Sequence, residues 1–539
     1  MTSKFQILLV VFIFAESVLA QDKLNRPKLI VGIVVDQMRQ DYLYRYYDKY
    51  SENGFKRILK NGFSCENLHY NYAPTVTAPG HASIYTGTTP AYHAIIGNEW
   101  FQRYSRKSMY CVDDETVSVV GSANSIAGKK SPKNLVASTI SDELRLFFYN
   151  KSKVIGLSIK DRGSILPAGH NPTGAYWYDD QSGNFITSTY YRKNLPDWVN
   201  TFNNEKWVAK LLSEGWNTLK PIHEYTESAA DLNPYEGKLS GEKNPVFPRV
   251  FDMNKPNYGT INVTPHGNTM LTEIALRAIE GESMGQDDIT DLLAISYSGP
   301  DYAGHLFGLQ SVEIEDIYLR LDLEIARLLE YLDSKVGKNQ YVLFISADHA
   351  VAQVPQFLID QNYSAGYFSS TAMLDSLKKM LSGKYDPNII DGMSNHQIYL
   401  NEDRITFKKL NRPAIVSDIK SFIQNIPGVF QVWERSEIQF LSNLPVYRMI
   451  QLGFNSKRGG DIIYTLLPAW LDSSFRTGTS HSSPYNYDTH VPGLFYGWSI
   501  PAGKSYTRYE ITDIAPTISH LTKITLPNAS IGKVIEFVK

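Results

Sequence analysis

Cysteine is almost absent: Cys65 and Cys111 are the two in a chain of 539 residues. That excludes a disulfide scaffold. The pair could bond after export, but nothing in the sequence brings them together. An excess of one charge is also missing, with 53 Lys plus Arg against 55 Asp plus Glu. The balance removes the electrostatic case for a nucleic acid partner or an anionic membrane surface, while leaving room for a local basic pocket. No internal repeat or low-complexity tract is present. Beyond the N-terminus no segment is long and apolar enough to span a bilayer, so no membrane anchor is expected.

What is present starts with the N-terminus. Lys4 precedes an apolar run from Phe5 to Phe14, and Val18-Leu-Ala20 forms a cleavage box before Gln21. Residues 1–20 read as a secretory signal peptide, which places the mature chain in the periplasm or outside the cell. Hydrophobic residues make up 43% and charged residues 20%, an ordinary globular balance that supports a large core. Aromatics reach 12%, with 35 tyrosines, which suits a loop-rich protein with aromatic-lined surfaces.

Four apolar runs read as buried strands: LIVGIVVD from Leu29, KVIGLSIKDR from Lys153, LLAISYSGPDYAGH from Leu292 and YVLFISADHA from Tyr341. Their continuity predicts a mostly parallel central sheet with helices on both faces, an α/β fold. Ile314, Ile317, Leu321, Ile325, Leu328 and Leu332 recur in steps of three and four, predicting an amphipathic helix over 311–336. Two stretches differ in character and read as cap insertions into one catalytic domain, 21–539. The first, about 169–267, is rich in Asn, Tyr, Trp, Gly and Pro. The second, about 355–478, carries its own helix and strand signals.

Each buried run ends in chemistry. Asp36 closes the first, Lys160 and Arg162 the second, Asp301 and His305 the third, and Asp348 and His349 the fourth. Ligands of open α/β sheets bind beyond the carboxyl ends of the strands, so these residues point to one shared site. Late in the chain, YDTHVP supplies His490, with His481 in TSHSSP as a rival that spacing does not exclude. Carboxylates and imidazoles together suit zinc. The stretch APTVTAPGHASIYTG, residues 73–87, crowds hydroxyls beside Pro and Gly. Alone it reads as turn and helix-start chemistry.

Taken in order, Asp36, the Thr77 segment, GPDYAGHLFG, SADHA and YDTHVP resemble the alkaline phosphatase superfamily, above all the exported, phosphate-irrepressible enzymes with a Thr nucleophile. HAIIGNEW, IKDRGSILPAGHNPTGAYWYDD and TDIAPT extend the resemblance from about Pro27 to the C-terminus. It implies a phosphate monoesterase with two zinc ions per chain. Asp36, Thr77, Asp348 and His349 would hold one, and Asp301, His305 and His490 the other. Thr77 would be the nucleophile that forms a phosphothreonine intermediate. Asn98, Lys160 and Arg162 would contact phosphoryl oxygens. Lys160 and Arg162 are two apart, so on an extended strand both would point the same way. The sequence departs from the family pattern in ADHA, where Ala350 replaces a glycine, and in LFGLQ after His305. Thr-Ala-Pro-Gly-His is also shared with nucleotide pyrophosphatase/phosphodiesterases, which sets diester hydrolysis beside the monoesterase reading. A sulfatase is disfavoured by Thr77 and by His81 where that class has Arg. The non-enzyme alternative is an exported phosphate-ester binding protein.

Overall fold

The computed structural model describes residues 25–123, 125–442 and 444–538. The signal peptide expected over residues 1–20 lies outside them. A ten-stranded sheet organises the chain. In chain order its strands are β1 (Leu29–Val35), β2 (Phe63–Cys65), β3 (Val119–Val120), β4 (Val154–Ser158), β5 (Gly174–Asp179), β6 (Asn184–Ser188), β7 (Asp291–Tyr297), β8 (Tyr341–Ser346), β9 (Leu494–Gly497) and β10 (Gly503–Ser505). Their spatial order is β10-β2-β9-β8-β1-β7-β4-β5-β6-β3. The contiguous strands β8, β1, β7, β4 and β5 run parallel, and antiparallel pairings flank them on both sides.

All four apolar runs are strands of this parallel centre. Every residue of β1 is buried. Successive side chains point to opposite faces, so both faces must be covered, and a continuous Val/Ile run is what such a strand requires. Flanking helices include α1 (Thr77–Thr86), α2 (Asp161–Ala168), α3 (Pro265–Gly281), α4 (Gly299–Phe307) and α5 (Val312–Leu332). α5 is the amphipathic helix expected over 311–336. Ser311 caps it by accepting from Ile314 N–H at 3.2 Å, and its Ile and Leu stripe is buried.

The register aligns the strand ends. Val34 of β1 sits opposite Ser296 of β7 and Ser346 of β8, and Ser296 sits opposite Ser158 of β4. The residues that follow these positions therefore leave the sheet along one edge.

Within 169–267, β5 and β6 extend one side of the sheet, which β3 closes, and the remainder is mostly irregular, with two short helices packed on α3. The stretch 355–478 builds a separate four-stranded sheet, ordered Ile390–Ser394, Gln397–Leu400, Ile462–Leu466, Val429–Glu434. It has its own core around Leu377, Ile398, Ile415, Ile419 and Ile462. Cys65 and Cys111 are both free and buried.

Candidate active site

Two clusters of side chains that could hold a metal ion lie beyond the strand ends. Asp36, Asp348 and His349 form one, and Asp301, His305 and His481 the other. Within each, the ligand atoms lie within 4.8 Å of one another. Asp36 directly follows β1, and Asp348 and His349 follow β8, its parallel neighbour. Asp301 and His305 are four apart on α4 and so share one face of that helix.

The second cluster corrects one expectation. His490 is not in it. That residue pairs with His69 in a short antiparallel bridge, stacks on the His69 ring at 4.6 Å, and its Nε2 lies 2.9 Å from the Glu66 carbonyl. Its Nε2 is engaged there. His481 takes the position instead, with Nε2 3.6 Å from Asp301 Oδ1, while His305 Nε2 is 3.2 Å from the same oxygen.

All three cluster histidines are oriented alike. Nδ1 of His305, His349 and His481 lies 2.9, 3.0 and 2.8 Å from the carbonyls of Thr479, Ala350 and Thr75 respectively. A carbonyl can only accept, so each Nδ1 carries a hydrogen and each Nε2 is turned toward the carboxylates. Burial lowers the proton affinity of His349 and holds that of His481 well below the usual imidazole range. Asp36 Oδ1, Asp348 Oδ2 and His349 Nε2 are buried and have no hydrogen-bond partner in the protein. Three orphaned acceptor atoms converging in a dry site are costly unless a cation binds there. The mixed oxygen and imidazole donor set fits zinc.

Lys160 stands between the clusters. Its Nζ is 2.8 Å from Asp36 Oδ2 and 2.5 Å from Asp301 Oδ2. Burial pulls its proton affinity down, but Asp301 and Asp36 outweigh that and raise it, so it stays charged. Burial likewise favours the neutral form of Asp301, yet His305 and Lys160 hold it well below the carboxylate range. Asp348 is held well above that range by burial and by the Asp36 charge.

The proximity of Lys160 and Arg162 has a different origin from strand alternation. β4 ends at Ser158, Lys160 is the N-cap of α2, and Arg162 lies in its first turn. Tyr110 steers Arg162: its hydroxyl accepts from Nη1 at 2.8 Å and donates to Asp161 Oδ1 at 2.6 Å. Arg162 Nη2 then comes to 3.5 Å from Thr77 Oγ1.

Thr77 is the first residue of α1, after an extended Val76 that offers no side-chain cap. The helix start therefore directs backbone dipoles at the site. Asn98 Oδ1 accepts from Ala78 N–H at 2.9 Å, which leaves its NH2 group for a ligand. His81, one turn on, bonds Thr77 O at 2.9 Å and Ser296 Oγ at 2.8 Å, and burial pushes its pKa down to about 4. It fastens α1 to β7 as a neutral ring. A Cβ on Gly80 would overlap the Asp348 carbonyl, so glycine is what lets α1 press Thr77 against the end of β8. Ala350 does not take a positive φ, so the departure from the family glycine introduces no strain.

One linking residue carried no sequence signal beyond its position after Asp36. Gln37 has φ 69°, an uncommon geometry for a residue with a side chain. That turn sends its N–H to Asp348 Oδ1 at 3.2 Å and its side-chain amide to Asp301 Oδ1 at 2.6 Å. Gly304 on α4 makes room for it, because a Cβ there would overlap Gln37 Oε1.

The type I phosphodiesterase / nucleotide pyrophosphatase family model matches residues 30–470. The chain belongs to that family. It is 46% identical over 520 residues to alkaline phosphatase PafA of Elizabethkingia meningoseptica, covering 95% of this chain and 94% of the relative. A Myroides odoratus protein named calcium-transporting ATPase is 46% identical over 530 residues, 97% of this chain and 96% of the other. No helix among the described residues here is long and apolar enough to cross a membrane. The crystal structure of wild-type PafA matches at a TM-score of 0.93 and 45% identity, over 96% of this chain and 99% of that one. The chain is an enzyme of the alkaline phosphatase superfamily.

Proposed function

We propose that this enzyme is an exported hydrolase of phosphate monoesters that works through a phosphothreonine at Thr77. What supports the reading is that Arg162 Nη2 lies 3.5 Å from Thr77 Oγ1 while Lys160 joins two clusters that could each hold a metal ion. Asp36, Asp348, His349 and Thr77 would hold one zinc ion, and Asp301, His305 and His481 the other. When bound, two such ions supply Lewis acidity that favours a threonine alkoxide and a departing alkoxide.

The chain's own residues do the rest. A phosphoryl group spanning the two clusters meets Lys160, whose ammonium marks their midpoint, together with Arg162 and the Asn98 amide. Thr77 Oγ1 attacks phosphorus, the bond to the ester oxygen breaks, and the alcohol leaves on the Asp301 side. Water then attacks the phosphothreonine from that side, releasing phosphate and restoring Thr77. In both steps Arg162 and Lys160 stabilise the non-bridging oxygens, through paired hydrogen bonds and as a point charge respectively. His81, Asn98 and Gln37 hold Thr77 and the clusters in place.

A diester hydrolase is the second reading, supported by the description of the matching family model. A monoester carries an extra non-bridging oxygen for Lys160 and Arg162, and a diester puts a substituent there. Side-by-side turnover of an aryl phosphate monoester and its diester, with and without added zinc, tests the choice. Faster diester hydrolysis would overturn the monoesterase reading. A Thr77→Ala variant that kept its full biological function would point to a binding protein. Export would be checked by intact mass, with a mature chain starting near Gln21.

A further inference from the structure

A cleft of about 460 Å3 opens from the second cluster into the 355–478 insertion. His305, His481 and Asn98 line its inner end. The far walls carry Ile450, Phe454, Met393, Tyr464 and Trp470. No lysine or arginine lines it among the described residues, and Asp472 is its one carboxylate. On the monoesterase reading, in-line displacement at Thr77 would send the alcohol out past His305 and His481, into this cleft.

The wall includes the tip of a β-hairpin. Ser394 pairs with Gln397, so the turn is the two residues Asn395 and His396. Both have positive φ, 51° and 58°. A two-residue turn of this kind strongly prefers Asn-Gly, because both positions are left-handed. Here an imidazole occupies the glycine position. The tip is fixed relative to the phosphoryl site, since Asn395 Nδ2 and Ser394 Oγ donate to the carbonyl of Glu99, next to Asn98, at 2.6 and 3.2 Å. The His396 ring lies 4.9 Å from the Tyr464 ring at 31°, and its Nε2 is 3.4 Å from Asp472 Oδ2. Asp472 is itself held by the Ser370 N–H at 3.0 Å.

We propose that His396, backed by Asp472 and Tyr464, is a specificity-determining residue for the leaving group, and that this cleft selects phosphate monoesters whose alcohol carries an uncharged ring. The inference rests on the monoesterase reading and deepens it. An aromatic and aliphatic wall favours a ring over a short alkyl chain through stacking and burial. The absence of lysine and arginine from its walls and the presence of Asp472 disfavour an alcohol that bears a second phosphate or a carboxylate. Contacts remote from the reacting bond can be spent on the transition state, so the ring should raise kcat/KM.

The test compares benzyl phosphate with ethyl phosphate, and benzylphosphonate with ethylphosphonate as non-hydrolysable ligands, on the zinc-loaded enzyme and its His396→Gly variant. Glycine suits the turn, so the variant should keep or gain thermal stability. It should lower kcat/KM for benzyl phosphate about tenfold and weaken benzylphosphonate to match, while the ethyl compounds change less than about twofold. Equal losses for both compounds, or no loss for either, would overturn the proposal. Should the wild type hydrolyse neither ester, the monoesterase reading fails, and the phosphonate dissociation constants still decide whether His396 selects a ring.

Discussion

The Asp36–Asp348–His349 cluster and the Asp301–His305–His481 cluster face each other across Lys160, yet they are built differently. The first comes from the ends of two adjacent parallel strands, and all three of its residues are fully buried. Sheet register alone puts those side chains together. The second joins one face of α4 to a loop about 175 residues later in the chain, and the His305 side chain is 39% exposed. Its closure depends on Gly478, whose φ of 68° and lack of a Cβ let the loop pass against the His305 carbonyl. Thr479 then accepts from His305, and His481 reaches Asp301. A rigid half and an assembled half are therefore expected to respond differently to perturbation.

Thr77→Ala should have the largest effect. Turnover should fall by at least about 10^4-fold, the scale of removing a covalent nucleophile. Elemental analysis should still find metal at the Asp301 cluster, whose ligands are untouched. Loss of both ions would mean the two halves are not independent.

Lys160→Ala combined with Arg162→Ala comes next. Each charge-assisted contact in a dry site is worth about 2–4 kcal/mol, so monoester kcat/KM should drop at least about 10^3-fold. Diester kcat/KM should move far less. Equal losses would show that Lys160 serves mainly to join the clusters.

The histidine pair sharpens the comparison most directly. His481→Ala should cost more than the roughly 100-fold in metal affinity that an outer-shell loss brings. Metal should fall toward one ion per chain. His490→Ala should retain both ions and near-normal turnover, because its ring touches His69 and Glu66 instead. The reverse pattern would restore His490 as the ligand.

Gly478→Ala should destabilise the chain by about 1–2 kcal/mol from the left-handed backbone alone. The loss should appear as a lower denaturation midpoint, with weaker metal binding confined to the second cluster. Gly80→Ala, by contrast, should disturb Thr77 and leave the second cluster intact. The mildest expected effect is under chelation, where metal should leave in two phases, the partly exposed second cluster first. A single phase would show that the two sites release metal together.

Much of the sheet and of the first cluster is legible in the amino-acid order alone. A run such as LIVGIVVD can be satisfied only by a strand covered on both faces, and its closing aspartate then has one edge of the sheet to occupy. The same reasoning reaches Asp301, Asp348, His349 and Lys160, because each lies within a few residues of a strand end, and His305 follows Asp301 one helical turn on. Helical spacing identifies α5 for a similar reason, since the signal is local.

What local spacing does not contain is decided by tertiary structure. His481 and His490 stand in similar surroundings in the sequence, and the choice between them turns on which loop passes α4. Gln37 matters because of a left-handed turn and a space above Gly304 that belongs to another helix. Lys160 and Arg162 meet the site from an N-cap and the first turn of α2, not from an extended strand, because β4 stops at Ser158. His396 reaches the cleft from the 355–478 stretch, which folds around its own core. Sequence periodicity reports which face of an element is buried. It carries no record of the neighbour across the contact, and in this protein those neighbours complete the second cluster and its cleft.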